Sequence, residues 1–158
     1  MTVAIAAITA ALYIALGYIF QAISFLGLQF RVAEILVGMC ILFPWAGLVG
    51  NVIGVFFVNL TSPLGLIDLL SCFVNIPALG CIILFRNWKV LKYLGATLYA
   101  IIISIYVATL LNLTFGLPFW LMFVQVFIAE EILAVIGVII FSIIRRAFER
   151  EPIKKKKG

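Results

Sequence analysis

The chain has no histidine and only six acidic residues among 158. Charged residues make up 11%, against about 25% in ordinary soluble domains, which leaves too little polar surface to face water. The missing imidazole, with three cysteines (Cys40, Cys72 and Cys81) inside apolar stretches and without ligand-like spacing, argues against a zinc or haem centre. The cysteines read as small buried hydrophobes. No G-x-x-x-x-G-K-[ST] phosphate loop is present, so the chain cannot drive uptake with ATP by itself. Neither a G-x-S-x-G element nor a His-containing catalytic group is found, and an enzyme is not expected. Internal repeats, common in secondary transporters, are also missing. No metal and no cofactor are expected in this chain.

What remains is hydrophobic: 66% of residues, with a mean hydropathy of +1.33. This is the composition of an integral membrane protein. A span needs roughly 20 apolar residues, so the length allows about six spans and short connections. Residues 1–20 lack a basic leading region and read as a retained span rather than a signal peptide. Six segments emerge, at about 2–24, 31–43, 46–61, 64–85, 93–112 and 119–144. As one helix, 32–60 would be about 43 Å long at 1.5 Å per residue, beyond a hydrocarbon core of roughly 30 Å. Pro44 and Gly47, in "FPWAG", supply a break, so two short spans are expected. The predicted fold class is an all-α integral membrane protein, a six-transmembrane-helix bundle over 1–147 with a basic tail at 148–158.

Lysine and arginine set the orientation. Arg86, Lys89 and Lys92 form one cluster; Arg145, Arg146, Arg150 and Lys154 to Lys157 form another. Two spans separate them, so both fall on one side, which the positive-inside rule makes cytoplasmic. Both termini are then cytoplasmic, in a multi-pass cell-membrane protein. The tail reads as a topology anchor near anionic membrane lipid. The net charge of +5 is no sign of nucleic acid, because the bases gather at predicted membrane edges. This topology puts Arg31, Glu34, Asp68 and Asn112 near the outer face.

Charge inside the membrane is the anomaly. Glu34, Asp68, Glu130 and Glu131 stand against Arg31 alone, a formal −3 if all are ionised. Such groups are costly in lipid and face a cavity, a partner or a water path. An excess of acid suits a cationic or donor-rich ligand, or a proton path. Arg31 and Glu34, three apart, can pair on one helix face or form a clamp at a pocket mouth, with Phe30 beside them. Asp68, Cys72 and Asn75 follow i, i+4, i+7 spacing, a weakly polar stripe that also suits helix–helix hydrogen bonding. Adjacent Glu130 and Glu131 point about 100° apart, so only one need face a cavity, while the other either pairs with a neighbouring helix or stays protonated, because desolvation disfavours the charged form. Gln125, about one turn above, offers a donor and an acceptor. Ala7, Ala11 and Ala15, with Ala6 and Ala10 alongside, form a small-residue stripe suited to close helix docking.

"QFRVAE" (29–34) followed by "NLTSPLGLIDLL" (59–70), after an alanine-rich first helix, resembles the QueT family of queuosine-precursor transporters. These are substrate-binding S-components of energy-coupling factor (ECF) importers. Ala33, "TSP" and "CFVN" depart mildly from the expected pattern. The resemblance implies a substrate-binding domain that captures a small micronutrient outside, then joins a transmembrane coupling protein and two ATPase subunits. It implies that the alanine face docks that coupling protein and that Gln29, Phe30 and Arg31 lie at a lid. It also implies queuine or a deazaguanine as ligand. A guanine-like edge presents adjacent N–H donors that one carboxylate accepts, and an aminomethyl group adds an ammonium. Substrate contacts are then expected from Phe30, Arg31, Glu34, Asn59, Asp68, Asn75, Gln125, Glu130 and Glu131. Phe115, Phe119 and Trp120 are either stacking partners or an aromatic belt. Rival readings are an S-component for another vitamin-like molecule, a proton-coupled carrier using Glu130 and Glu131, and a helix-docking scaffold.

Overall fold

The computed structural model describes residues 1–22 and 30–154, with side chains to Glu149. Among the described residues every regular element is helical. Six helices follow in order: α1 (Thr2–Ile19), α2 (Val32–Leu42), α3 (Pro44–Asn59), α4 (Gly65–Phe85), α5 (Leu91–Phe115) and α6 (Phe119–Lys154). The six expected segments are all present. Four of them, α1, α4, α5 and α6, are long and apolar enough to cross a membrane. The other two, on either side of Pro44, are apolar but short, as the break there led one to expect. α3, with 16 residues, reaches about 24 Å against a core of roughly 30 Å.

α2 and α4 each begin in a tighter winding. Val32–Gly38 and Gly65–Leu70 are 3₁₀ segments that pass into α-helix at Met39 and Ser71. Each carries one acid, Glu34 or Asp68. The chain breaks between α2 and α3 where Pro44 opens the new helix and Phe43 leaves helical dihedrals, at φ −129° and ψ 83°. The Asn51 amide spans the break, donating to Leu36 O at 3.1 Å and to Gly47 O at 2.8 Å. At the other side of the bundle α5 ends at Gly116, whose φ of 67° is the left-handed cap that glycine adopts freely. α6 runs to Lys154, so the basic segment from Arg145 continues the same helix.

Apolar burial cannot by itself choose partners for helices in lipid, so close backbone approach does. α1 lies along α3, where a Cβ on Gly54 would come within 2.6 Å of Tyr13 and one on Gly50 within 2.6 Å of Thr9. Ala6 and Ala10 are buried on this side; Ala7, Ala11 and Ala15 are exposed. α2 meets α6 more closely still, since a Cβ on Gly38 would lie 2.3 Å from Gly137 O and one on Gly137 2.3 Å from Ile35 O. Both neighbours are backbone and cannot turn aside. Gly137→Val is therefore expected to destabilise the bundle by at least the 1–3 kcal/mol typical of overpacking, about the upper end. Thermal unfolding of the purified variant in detergent checks this; an unchanged midpoint would mean α2 is free to retreat.

Candidate functional site

The polar side chains that the apolar composition makes conspicuous converge inside the bundle. Arg31, at the entry to α2, is 7% exposed, and its guanidinium pairs with the fully buried Asp68 carboxylate at 3.5 Å. Of the alternatives open to Arg31, the ion pair is thus with Asp68 and not with Glu34 on the same helix. Spacing along one helix favours i, i+3 neighbours, but the over-wound start of α4 brings a second acid to the arginine. Asp68 is held in place through its backbone: its carbonyl accepts from Asn59 Nδ2 at 3.1 Å and from Ser71 Oγ at 2.6 Å. The Asn59 amide also reaches Ser71 Oγ at 2.6 Å, tying the end of α3 to α4.

Glu34 turns the other way. Tyr13 of α1 and Tyr99 of α5 each donate a short hydrogen bond to it, one to each carboxylate oxygen. The Tyr99 hydroxyl lies 3.3 Å from Asn75 Oδ1 as well, and Asn75 Nδ2 donates to Ser71 O at 3.1 Å. Three helices thus meet at one carboxylate, and α4 joins them through Asn75 and Tyr99. Glu130 of α6 is 1% exposed and within electrostatic reach of both Glu34 and Arg31. Its Oε2 has no hydrogen-bond partner among the described residues, nor does Oδ1 of Asp68. Among the described residues, three carboxylates stand around one guanidinium, an excess of acceptors that would suit a donor-rich or cationic molecule.

The adjacent glutamates separate as their 100° spacing requires. Glu130 faces the group, whereas Glu131 is half-buried and accepts from Thr97 of α5 at 2.9 Å. Glu131 is therefore not brought to the other acids. Phe30 is half-buried directly before Arg31, and Gln125 is half-buried on α6 above Glu130. Cys72 is buried in the apolar cluster around Tyr13, Ala33 and Val55. Phe115 and Trp120 are exposed, as an interfacial belt requires, and Phe119 joins a ladder with Phe123 and Phe127 along α6. Gln29, expected at the lid with Phe30 and Arg31, lies outside the described residues.

Sequence reasoning missed the two tyrosines. Their signal was position: Tyr13 and Tyr99 lie well inside apolar helices, away from the interfaces that tyrosine favours, and a buried phenol needs a partner. Both are at most 2% exposed.

No curated protein and no solved structure matches the chain. A family model described as QueT transporter matches residues 3–146, which includes every helix that contributes to this buried group. The four span-length apolar helices, the enclosed acids and a match over nearly the whole bundle agree: the chain is a membrane protein of the QueT transporter family.

Proposed function

We propose that this chain is the substrate-binding S-component of an ECF importer and that it captures a queuosine precursor, queuine or a related deazaguanine, from outside the cell. The observation that carries the reading is the enclosed group of Glu34, Asp68 and Glu130 around Arg31. Glu34, preset by two phenols, and Glu130, with an unpartnered oxygen, are the acceptors we assign to the ligand's N–H edge and cationic arm. Arg31 and Asp68 close the mouth; Asn59 and Asn75 hold the frame, and Phe30 and Gln125 line the approach. No catalytic step is assigned to any of them. The transporter family supports a small-molecule cargo, and the missing phosphate loop supports an energy source in other subunits. The basic clusters support cytoplasmic termini in the cell membrane.

Calorimetry on the purified chain, without coupling protein, ATPases or ion gradient, is the test. Tight binding of queuine or an aminomethyl-deazaguanine is expected. No binding of any deazaguanine would overturn the ligand assignment, and strict dependence on a proton gradient would overturn the class. A relay through Glu130 and Glu131 is the weaker reading, because Glu131 turns one oxygen to Thr97 of α5 and does not join the group that holds Glu130.

The exposed alanines point to the partner. Ala7, Ala11 and Ala15 lie on the side of α1 away from α3 and allow another helix to approach closely. Replacing Ala7 and Ala11 by leucine is expected to abolish uptake in cells that supply the coupling protein and two ATPase subunits, while binding by the isolated chain stays within about twofold, well under the tenfold that 1.4 kcal/mol represents. Equal loss of both would mean that the stripe packs within this chain.

A further inference from the structure

A second polar feature lies at the opposite functional pole of the bundle, where the turn between α4 and α5 faces the continuation of α6. Along α6, Ser142 lies about 18 Å from Glu130, so the two features are separate. Here a cleft of about 200 Å³ opens between the segment 86–92 and the last turns of α6. Five bases line it, Arg86, Lys89, Lys92, Arg145 and Arg146, against one acid, Glu149. Glu149 is already engaged with Arg145 at 3.0 Å. The other four cations have no ion pair among the described residues.

Lys92 is the informative member. It is 6% exposed, yet its ammonium donates to a neutral hydroxyl, Ser142 Oγ, at 2.7 Å, and lies 5.1 Å from the Tyr93 ring centre. An ammonium has three donors, and Ser142 is its one hydrogen-bond acceptor among the described residues. Arg145 fixes the wall of the cleft, donating to Asn87 Oδ1 at 3.1 Å and reaching the Arg86 carbonyl at 3.5 Å. The cleft is thus a braced set of five cations, one of them buried, with a single acid as counter-charge. Beside it Trp88, Val90 and Leu91 are exposed apolar residues. An occupant that satisfies both halves has an anionic phosphate head and a hydrocarbon tail.

We propose that this cleft is a binding site for the phosphate headgroup of an anionic phospholipid. The headgroup sits against Lys92, Arg86 and Arg146, with Lys89 at the rim, and the acyl chains lie along Trp88 and Val90. This differs from a diffuse attraction of the basic tail to a charged surface, because the cleft has walls and a buried donor. The assignment is independent of which ligand the acidic group takes.

The test uses the full chain in nanodiscs of phosphatidylcholine alone or mixed with phosphatidylglycerol, followed by native mass spectrometry of the released protein. The parent is expected to retain phosphatidylglycerol in preference to phosphatidylcholine. Lys89→Gln with Arg146→Gln removes two exposed charges without disturbing the packing and is expected to weaken retention roughly thirtyfold. Lys92→Met is expected to lower it as well. Neutralising Lys154 to Lys157 should leave retention in place. Equal retention of both lipids, parent-like retention by the charge variants, or loss on neutralising the tail alone would each overturn the site. Displacement of the lipid by inorganic phosphate at comparable concentration would make it a site for soluble anions and overturn the lipid assignment.

Discussion

Asp68→Ala is expected to cost the bundle about 3–5 kcal/mol, the penalty for breaking a buried ion pair by removing one of its partners. Arg31 would keep its charge in an interior where its 3.5 Å partner is gone. The loss should be larger than that of the pair itself. Replacing Arg31 and Asp68 together by methionine and leucine removes both charges, and apolar replacement of a buried pair is often neutral or stabilising. The double variant is therefore expected to recover most of the stability while losing ligand binding. A double-mutant cycle of unfolding in detergent decides it. If Asp68→Ala costs less than about 1 kcal/mol, the pair behaves like an exposed one and the interior is wetter than its burial implies.

The second large effect concerns the two acids assigned to the ligand. Glu34→Gln and Glu130→Gln are each expected to weaken deazaguanine binding by about ten- to a hundredfold, since a hydrogen bond to a charged group contributes roughly 1.5–3 kcal/mol. At Glu34 the change has a further consequence. Glutamine's amide would meet the Tyr13 or Tyr99 hydroxyl with a donor where an oxygen now accepts, and the preset geometry would be lost. Tyr99→Phe should share part of that loss. Glu131→Gln provides the contrast: it keeps the oxygen that accepts from Thr97 and should bind like the parent. Calorimetry on the four single variants reads the order. A parent-like Glu130→Gln with a deficient Glu131→Gln would invert the assignment of the two faces.

Much of the architecture was legible because apolar length is a strong signal. The six segments, the break at Pro44 and the continuity of α4 through Asp68 are consequences of proline chemistry and of chain length against bilayer thickness. The site was legible as a composition, too many acids for one arginine, but not as a set of pairs. Arg31 and Glu34 look like partners when one helix is considered alone. Their true partners come from α4, α1 and α5, and no spacing rule along α2 reaches those helices. For the tyrosines, depth along the helix marked them as buried phenols in need of a partner, but it did not say that the partner is Glu34. The glycines of the helix contacts were equally silent, because Gly38 and Gly137 acquire meaning only when two backbones meet.

The seven-residue 3₁₀ start of α2 also sets a mechanical scale. Runs longer than three or four residues are uncommon in this winding, which advances about 2.0 Å and 120° per residue against 1.5 Å and 100° in an α-helix. Gly38, pressed against Gly137, is the natural pivot. Four residues away, Glu34 would travel about 2 Å along the axis and swing about 80° if the segment relaxed to α-helical winding. That rotation would carry the carboxylate off both phenols. The over-wound start of α2 therefore ties the direction of the acid to the pitch of the backbone that carries it.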